Sequence, residues 1–405
     1  MVQIKAFEVE QWMDTHETWA THNLAETCCA SISLDDLVDF SNSTTAKTDL
    51  IDYTQKQVYG AIRGSSALRS RIADRYESIA DTDDVSEDKV LITNGAIQAN
   101  FLALYTQLGP GDHVICHYPT YQQLYSVPES LGAEVSLWKA REESGFSLDV
   151  EELRGLVRGH TRMIILNNPQ NPTGAVLHRD ALQAVVDIAR ELNITIHSDE
   201  VYRPLFHSLP AGQGPPPSIL DFGYENAVAT GSLHKAFSLA GIRVGWIASR
   251  SKEIIERCAS CRDYTTISVS QIDDRIASFA LSSPTVENLM ERNIELARKN
   301  LALLEDFVRE FEGTVSWVKP QGGTTAFLKF RTHKGEPIDD EEFCKRLQEK
   351  VGVMFVPGRR CFGDRVDYSG YVRVGFVPEH QVMVDGLKAL RAFMASGYGN
   401  VPAAV

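Results

Sequence analysis

Between about residues 88 and 250 the sequence alternates short apolar runs with longer segments of helical periodicity. Seven runs have the length and composition of strands: KVLIT, HVICHY, EVSLW, RMIILN, ITIHS, AVATGS and VGWIAS. Helical patterns lie between them, at residues 97–108, 121–131 and 179–192. Strands that alternate with helices in this way form parallel sheets with helices on both faces. We therefore predict an α/β fold built on a mainly parallel seven-stranded sheet.

The pattern changes beyond about residue 285. One long helical region runs to residue 311, strands are predicted near 314–317 and 326–330, and further strand and helix signals continue to residue 394. These indicate a second, smaller α+β domain. The predicted organisation is an N-terminal segment (1–45) that packs with the small domain, a large domain (46–284) and the C-terminal small domain (285–405).

Composition narrows the classes of function. The 405-residue chain is 43% hydrophobic and 23% charged, as in an ordinary globular protein of two or three domains. Its formal charge of −14 argues against nucleic acid as a partner, because phosphate binders need a basic face. The charged N-terminal residues do not resemble a signal peptide, and no run reaches ~18 apolar residues. We expect a cytoplasmic protein with a small zwitterionic ligand and no membrane partner.

The seven cysteines do not predict a metal site. Only Cys258 and Cys261 have CxxC spacing, and no second pair or histidine cluster completes a zinc site. We interpret them as ordinary helix residues. The adjacent Cys28 and Cys29 are predicted to be buried thiols, because a reducing compartment disfavours disulfides.

The segment GSLHKAFSLAGIRVGW joins two predicted strands and carries Ser232, Lys235 and Arg243. A lone lysine is usually a solvated surface charge, but Lys235 lies among small and apolar residues at a strand end, where open α/β sheets bind ligands. Desolvation there would lower its pKa, and a neutral amine can attack an aldehyde to form a Schiff base. Arg243 and Ser232 suit a nearby phosphate, as a fixed cation and a hydroxyl donor.

Two other predicted strands end in polar residues. The strand in ITIHSDEVY ends at Asp199, which either caps a helix or faces a pyridine nitrogen and keeps that nitrogen protonated. The loop NNPQNPTG is either a rigid connection or a platform that presents Asn171 to a phenolic ring oxygen. Tyr202 could donate a hydrogen bond to the same oxygen.

Two earlier segments complete the pattern. In LITNGAIQAN a strand runs into a helix, so the amides of Gly95, Ala96 and Ile97 lie at a helix N-terminus, which is a ready anion site. In HYPTYQQLY, Tyr121 follows a strand and a proline turn. Its ring either belongs to the core or lies flat on a planar cofactor.

Taken in order, these five segments resemble the class I/II aminotransferase superfamily, the fold type I pyridoxal-phosphate-dependent enzymes, from about Tyr59 to Phe376. The resemblance implies pyridoxal 5′-phosphate bound as an internal aldimine. On this resemblance Lys235 forms the aldimine, Asp199 pairs with the ring nitrogen, and Asn171 and Tyr202 hold the ring oxygen. Tyr121 stacks on the cofactor ring. The phosphate is bound by Gly95, Ala96, Ile97, Ser232 and Arg243. Lys235, Asp199 and Tyr121 are then the catalytic residues.

The resemblance extends to the dimer and the substrate. VYGAIRGSSALR looks like the segment in which a tyrosine, here Tyr59, reaches the phosphate of the neighbouring subunit, which implies a homodimer. YVRVGF looks like the segment that presents an arginine, here Arg373, to the substrate's α-carboxylate, beside Asn171. PQGGTTAF and VPGRRCFG are similar to landmarks of the family's small domain.

The sequence departs from the family pattern at two places. His234 precedes the lysine where relatives usually carry serine, and VDFSNSTTAKT replaces the usual glycine- and proline-containing loop over the substrate. The segments FEVEQWMDTHE and ETCCASISLDDL are similar in pattern to a branch that includes capreomycidine synthase. Glu17, Glu26 and Asp39 could favour a basic substrate, but we interpret all three as solvated helix-face charges.

We therefore predict an aminotransferase that converts an L-amino acid into a 2-oxo acid. One alternative is elimination, replacement or cyclisation of a modified amino acid such as hydroxyarginine, on the same scaffold. Another is a non-catalytic regulator that senses an amino acid. It is disfavoured because the first ~45 residues are too short and too acidic for a winged helix with a basic recognition face.

Overall fold

The computed structural model describes residues 4–43, 50–76 and 84–404. Within these ranges lie thirteen α-helices and thirteen strands. The helices are α1 Glu8–His16, α2 Leu34–Phe40, α3 Ser66–Ala73, α4 Ala96–Tyr105, α5 Gln123–Ser130, α6 Val150–Leu156, α7 Arg179–Leu192, α8 Lys252–Arg262, α9 Gln271–Ala280, α10 Thr285–Glu310, α11 Asp340–Val351, α12 Gly358–Phe362 and α13 His380–Ser396. The strands are β1 His22–Asn23, β2 Val90–Thr93, β3 His113–Tyr118, β4 Glu134–Lys139, β5 Thr161–Asn167, β6 Thr195–Asp199, β7 Ala227–Ser232, β8 Gly245–Ser249, β9 Val315–Trp317, β10 Thr325–Phe330, β11 Val353–Met354, β12 Val356–Pro357 and β13 Tyr371–Gly375.

The central sheet has seven strands in the order β2-β8-β7-β6-β5-β3-β4. Strand β8 runs antiparallel to both of its neighbours, and the other pairs are parallel. Strands β2, β3, β6, β7 and β8 are buried along their whole length, as expected for a sheet covered on both faces. The predicted α/β fold with a mainly parallel seven-stranded sheet is confirmed.

The register of the central strands decides where their polar ends meet. Asn167 at the end of β5 pairs with Asp199 at the end of β6, and Asp199 pairs with Thr230 near the end of β7. Because these strands are parallel, the segments that follow them leave the sheet at one edge. The three segments that carry Asn171, Tyr202 and Lys235 therefore start side by side.

A second, antiparallel sheet has the strand order β12-β13-β10-β9. Its strands β9 and β10 and the preceding long helix α10 lie close to the predicted positions, and α10 packs against α13. The domain boundaries after residues 45 and 284 stay predictions.

The N-terminal segment contacts both parts of the molecule. Strand β1 pairs in parallel with β11, and the indole Nε1 of Trp12 donates to the Phe355 carbonyl at 2.9 Å. On the other side, the amide of Glu8 donates to the Gln122 side chain at 2.9 Å. The segment thus links the β11 region to the start of α5.

The remaining expectations concern membranes and cysteines. In the described ranges, no helix combines the length and the apolar character that crossing a bilayer requires. Cys258 and Cys261 both lie in α8, as predicted, and all seven cysteines are free thiols. Cys29 is buried, whereas Cys28 is only half-buried.

Gly245 provides a test of how tightly β8 packs against the start of α4. A Cβ at this position would lie 2.4 Å from the Gly95 carbonyl carbon and 2.6 Å from the Ala96 nitrogen. We expect Gly245→Ala to lower the free energy of unfolding by about 1–3 kcal/mol, because the backbone must move to admit the methyl group. Urea-induced unfolding followed by circular dichroism measures this. The control is Gly241→Ala, where an added Cβ meets nothing within 4 Å; equal stability of the two variants would contradict the prediction.

Candidate active site

A cavity of about 440 Å³ opens at the edge of the central sheet where β5, β6 and β7 end. Its size falls within the usual range for small-molecule sites. Nine of the residues predicted from the sequence line it: Ala96, Ile97, Tyr121, Asn171, Asp199, Tyr202, Lys235, Arg243 and Arg373. The rest of the lining comes from Phe7, Val9, Glu10, Met13, Glu17, Ala25, Glu26, Thr27, Asn100, Asn167, Val201 and His234.

One end of the cavity suits an anion. Gly95 precedes α4 with φ +83°, and it has no side chain to cap the helix N-terminus. A Cβ on Gly95 would lie 2.4 Å from the His234 ring and 3.2 Å from the Arg243 guanidinium. Gly95 is therefore next to the lining, although it is not part of it. The uncapped amides of α4 and the Arg243 cation together attract a phosphate or a similar anion.

Ser232 and His234 lie behind this anion site. Ser232 is buried outside the cavity lining, and its Oγ accepts a hydrogen bond from the His234 amide at 3.3 Å. The His234 ring Nδ1 lies 3.4 Å from Arg243 Nη1. Burial, followed by Arg243 and Lys235, lowers the pKa of His234 to about 3, so its ring is neutral at physiological pH. The histidine that departs from the family pattern thus contacts the arginine of the anion site.

Asp199 is held by a residue that the sequence interpretation did not identify. Its Oδ2 accepts a hydrogen bond from the Asn100 side chain at 3.0 Å, and Asn100 Oδ1 accepts from Thr230 at 2.6 Å. Its Oδ1 accepts from the Val201 amide at 3.1 Å, and a turn rather than a helix follows. Burial raises the pKa of Asp199 to about 6 despite the Asn100 hydrogen bond. The alternative of a helix N-cap is therefore wrong.

Lys235 lies against the segment Ala25–Thr27 of the N-terminal part. Its Nζ donates to Thr27 Oγ1 at 2.6 Å and lies 3.8 Å from Glu26 Oε1 and 3.5 Å from Cys28 Sγ. Burial by itself lowers the pKa of Lys235, but Cys28 and Glu26 together raise it by more than burial lowers it. The pKa of Lys235 is therefore raised overall. A lowered pKa was thus the wrong expectation for the net effect, because that expectation considered desolvation alone and not the neighbouring Cys28 and Glu26.

Asn171 and Arg373 meet on the opposite wall. Arg373 is only 3% exposed, and its Nη1 donates to Asn171 Oδ1 at 3.3 Å. Its Nη2 donates to the Ala25 carbonyl at 3.0 Å, and its Nε has no partner among the described residues. The Asn171 amide donates to Asn167 Oδ1 at 2.7 Å, which fixes the loop after β5. Arg373 thus lines the cavity and keeps one buried donor without a partner among the described residues.

Tyr121 and Tyr202 form aromatic parts of the wall. The Tyr121 hydroxyl donates to Glu10 Oε1 at 2.7 Å, and its ring centroid lies 4.7 Å from that of Phe7. Tyr202 is buried, and burial raises its pKa despite the nearby Lys235. Both phenols are therefore neutral hydrogen-bond donors at physiological pH.

Within the described residues, VDFSNSTTAKT contributes nothing to the cavity lining. Its residues 44–48 lie outside the described residues, and none of residues 38–43 lines the cavity. The segment Ala25–Thr27 and residues of α1 line it instead. Glu26 is not a solvated helix-face charge, since it lies outside the helices and its carboxylate accepts two backbone hydrogen bonds. Glu17 and Asp39 are both exposed; Glu17 lines the cavity, whereas Asp39 does not. The sequence signal for this part was the similarity of FEVEQWMDTHE and ETCCASISLDDL to the branch that includes capreomycidine synthase, which assigned no role to any of their residues.

Tyr59 takes no part in these contacts. Its side chain is 79% exposed and does not line the cavity of this chain. The sequence predicts that Tyr59 acts at the site of a neighbouring subunit and not at its own, and this role stays a prediction.

Comparison with known proteins identifies the family. The family model for aminotransferase class I and II matches residues 38–393. A pyridoxal-phosphate-dependent aminotransferase structure from Streptococcus suis superposes with a TM-score of 0.87 at 38% identity, covering 97% of this chain and 98% of that one. Thermotoga maritima aspartate aminotransferase is 30% identical over 88% of this chain and 89% of its own length. Capreomycidine synthase from Streptomyces vinaceus is 29% identical over 74% of this chain and 73% of its own length.

The residues of the cavity fit pyridoxal 5′-phosphate, the cofactor of this family. The uncapped start of α4 with Arg243 suits the phosphate, and Lys235 provides an amine for the aldehyde. Asp199 is a buried carboxyl group without a cationic partner among the described residues, which a protonated ring nitrogen would provide. The chain belongs to the aminotransferase class I and II family of pyridoxal-phosphate-dependent enzymes.

Proposed function

We propose that this protein transfers the amino group of an L-amino acid through pyridoxal 5′-phosphate and releases a 2-oxo acid. The observation that carries the proposal is that Lys235, Asp199 and Arg373 line one cavity, so that an amine, a buried acid and a carboxylate-binding cation share one space. Transamination requires all three groups, and each comes from a different part of the chain.

The cofactor supplies an aldehyde that condenses with the substrate's amine and a ring that withdraws electrons from its Cα. Arg373 binds the substrate's α-carboxylate through its planar guanidinium. Asp199 keeps a proton on the ring nitrogen, and Asn100 fixes the orientation of that carboxylate. The amine of Lys235, released from the cofactor, removes the proton from Cα as a general base, and Thr27 Oγ1 holds the amine in place.

A second candidate function is elimination or cyclisation on the same scaffold. The similarity to capreomycidine synthase and the Glu26 carboxylate beside Lys235 favour it. A carboxylate at that position could orient a cationic substrate side chain for ring closure, a step that plain transamination does not need. Product analysis separates the two functions, since transamination releases a 2-oxo acid and elimination or cyclisation yields a dehydrated or cyclic product.

We also propose that the enzyme is a homodimer that works in the cytoplasm. Among the described residues, several expose large apolar side chains, including Tyr53 (91%), Tyr59 (79%) and Tyr264 (94%). Phe101 and Tyr105 lie one turn apart on α4 and are also exposed. In the proposed dimer, a second copy would bury exposed side chains of this kind and bring Tyr59 to the neighbouring phosphate site. The free thiols are consistent with a reducing compartment.

Lys235→Ala tests the attachment of the cofactor. We expect borohydride reduction of the wild-type holoenzyme to leave a pyridoxyl group on Lys235, as peptide mass spectrometry would show, and the variant to carry no such adduct. Amino-acid turnover should fall at least about 100-fold, because the general base is lost. The control is Lys252→Ala at the start of α8, outside the cavity lining. A pyridoxyl group on a different lysine would contradict the proposal.

Asp199→Asn tests the role of the buried carboxylate. The substitution keeps the size of the side chain and its contact with Asn100, but it removes the negative charge. We expect kcat to fall roughly 100-fold or more with the cofactor still attached to Lys235, because the charge on the ring nitrogen is no longer stabilised. Steady-state kinetics and the bound cofactor content measure this. Unchanged kcat would show that Asp199 only supports the fold.

Mixing two inactive variants tests whether Tyr59 acts across subunits. We expect Tyr59→Ala and Lys235→Ala to be weak on their own. After unfolding and refolding together, about a quarter of wild-type activity should return, since half of the dimers are mixed and each has one complete site. Activity is measured beside each variant refolded alone. No recovery, with dimers confirmed by light scattering, would place the Tyr59 contribution within its own subunit or exclude it.

A further inference from the structure

We propose that the substrate is an amino acid with a cationic side chain, a guanidino or ammonium group, which Glu17 and Glu26 bind. The inference rests on the proposed function, because it assumes that an amino acid occupies the cavity with its α-carboxylate on Arg373.

The cations of the cavity are already assigned. Among the described lining residues, the positively charged side chains are Lys235, Arg243 and Arg373. Arg243 belongs to the phosphate end, Lys235 to the cofactor aldehyde, and Arg373 to the α-carboxylate. His234 is neutral, because burial lowers its pKa to about 3. A substrate with an acidic side chain would therefore enter without a cation to neutralise its second carboxylate.

The acidic groups exceed what the cofactor needs. Asp199 faces the ring nitrogen, which leaves the carboxylates of Glu10, Glu17 and Glu26 on the N-terminal wall. Glu10 accepts a hydrogen bond from Tyr121, whereas Glu17 forms no ion pair with any residue that the structure describes. Glu26 has one cationic neighbour, the Lys235 amine, and that amine is the group that holds the cofactor. Once Lys235 holds the cofactor, Glu26 has no cationic partner among the described lining residues.

Glu26 is fixed as an anion. Its Oε1 accepts hydrogen bonds from the amides of Thr27 at 2.6 Å and Cys28 at 2.9 Å. Burial by itself raises the pKa of Glu26, but Lys235 and these hydrogen bonds lower it to about 2. A carboxylate that the backbone holds in one orientation loses little entropy when it binds a cation.

The residues on either side of Glu26 contact the two groups that act on the substrate's backbone. Ala25 accepts a hydrogen bond from Arg373 through its carbonyl, and Thr27 accepts one from Lys235 through its hydroxyl. The segment Ala25–Thr27 therefore runs between the group that binds the α-carboxylate and the group that acts at Cα. Arg373 is buried and its Nε has no partner among the described residues, an observation that is independent of the acidic residues. In the proposed arrangement the substrate's side chain extends from Cα past Glu26 towards Glu17, which also lines the cavity.

L-Arginine and L-citrulline provide a matched pair of probes, since they have nearly the same shape and differ in the charge of the side chain. Binding is measured by calorimetry to Lys235→Ala loaded with pyridoxal 5′-phosphate, which cannot turn the ligand over, and kcat/KM is measured with the wild-type holoenzyme. We expect L-arginine to bind at least about tenfold more tightly than L-citrulline, because a charge-assisted hydrogen bond contributes about that difference in affinity. L-Glutamate should bind more weakly than either.

Glu17→Gln and Glu26→Gln, each in the same background, should reduce the preference for L-arginine over L-citrulline to about twofold or less. Asp39→Asn is the matched control, because Asp39 is an acidic residue of the same N-terminal part that does not line the cavity. It should keep the full preference. Loss of preference in both glutamate variants but not in the control would support the inference.

Two results would overturn it. Equal binding of L-arginine and L-citrulline, or tighter binding of L-glutamate, would exclude the substrate class while leaving the proposed function intact. Absence of a pyridoxyl group on Lys235 in the wild-type enzyme would overturn the proposed function and the inference with it. The cofactor measurement therefore distinguishes the two failures.

Discussion

Parallel pairing of β5, β6 and β7 places three strand ends side by side, and each end continues into a segment that lines the cavity. The pairing of Asn167 with Asp199 and of Asp199 with Thr230 sets the spacing of these segments. Backbone hydrogen bonds within a buried sheet fix this register, because a slip of one residue would turn apolar side chains to the wrong face. The positions of Asn171, Asp199 and Lys235 relative to one another follow from that register.

Local sequence signals predicted most of this arrangement. Periodicity over short windows predicted all seven strands of the central sheet, the helix α7 and the long helix α10. The five segments at the strand ends could be identified as one site because parallel strands bring their carboxyl ends to one edge. Resemblance to a family then assigned a role to each residue, and nine of them share the cavity.

The remaining residues could not be predicted from local pattern, because their contacts join distant parts of the chain. Thr27 and Lys235 are 208 positions apart, and Asn100 and Asp199 are 99 positions apart. A glutamate such as Glu26 has the sequence context of a solvated charge, and long-range contacts, among them the pairing of β1 with β11 and the hydrogen bond from Arg373 to the Ala25 carbonyl, bring it into the cavity. The position of this segment also explains why the pKa of Lys235 rises, since burial was expected but the neighbouring Cys28 and Glu26 were not.

The N-terminal segment spans the gap between β11 and α5 and supplies much of the wall around the substrate. The residues that fit the cofactor, by contrast, lie between positions 95 and 243, in the central sheet and the segments that connect its strands. The residues proposed for selectivity and those that fit the cofactor therefore lie in separate stretches of the chain, except at residues 25–27, where Thr27 contacts Lys235. Under that assignment a substitution at Glu17 changes which amino acid is accepted and leaves Asp199, Lys235 and Arg243 untouched, so specificity can shift without loss of the cofactor site.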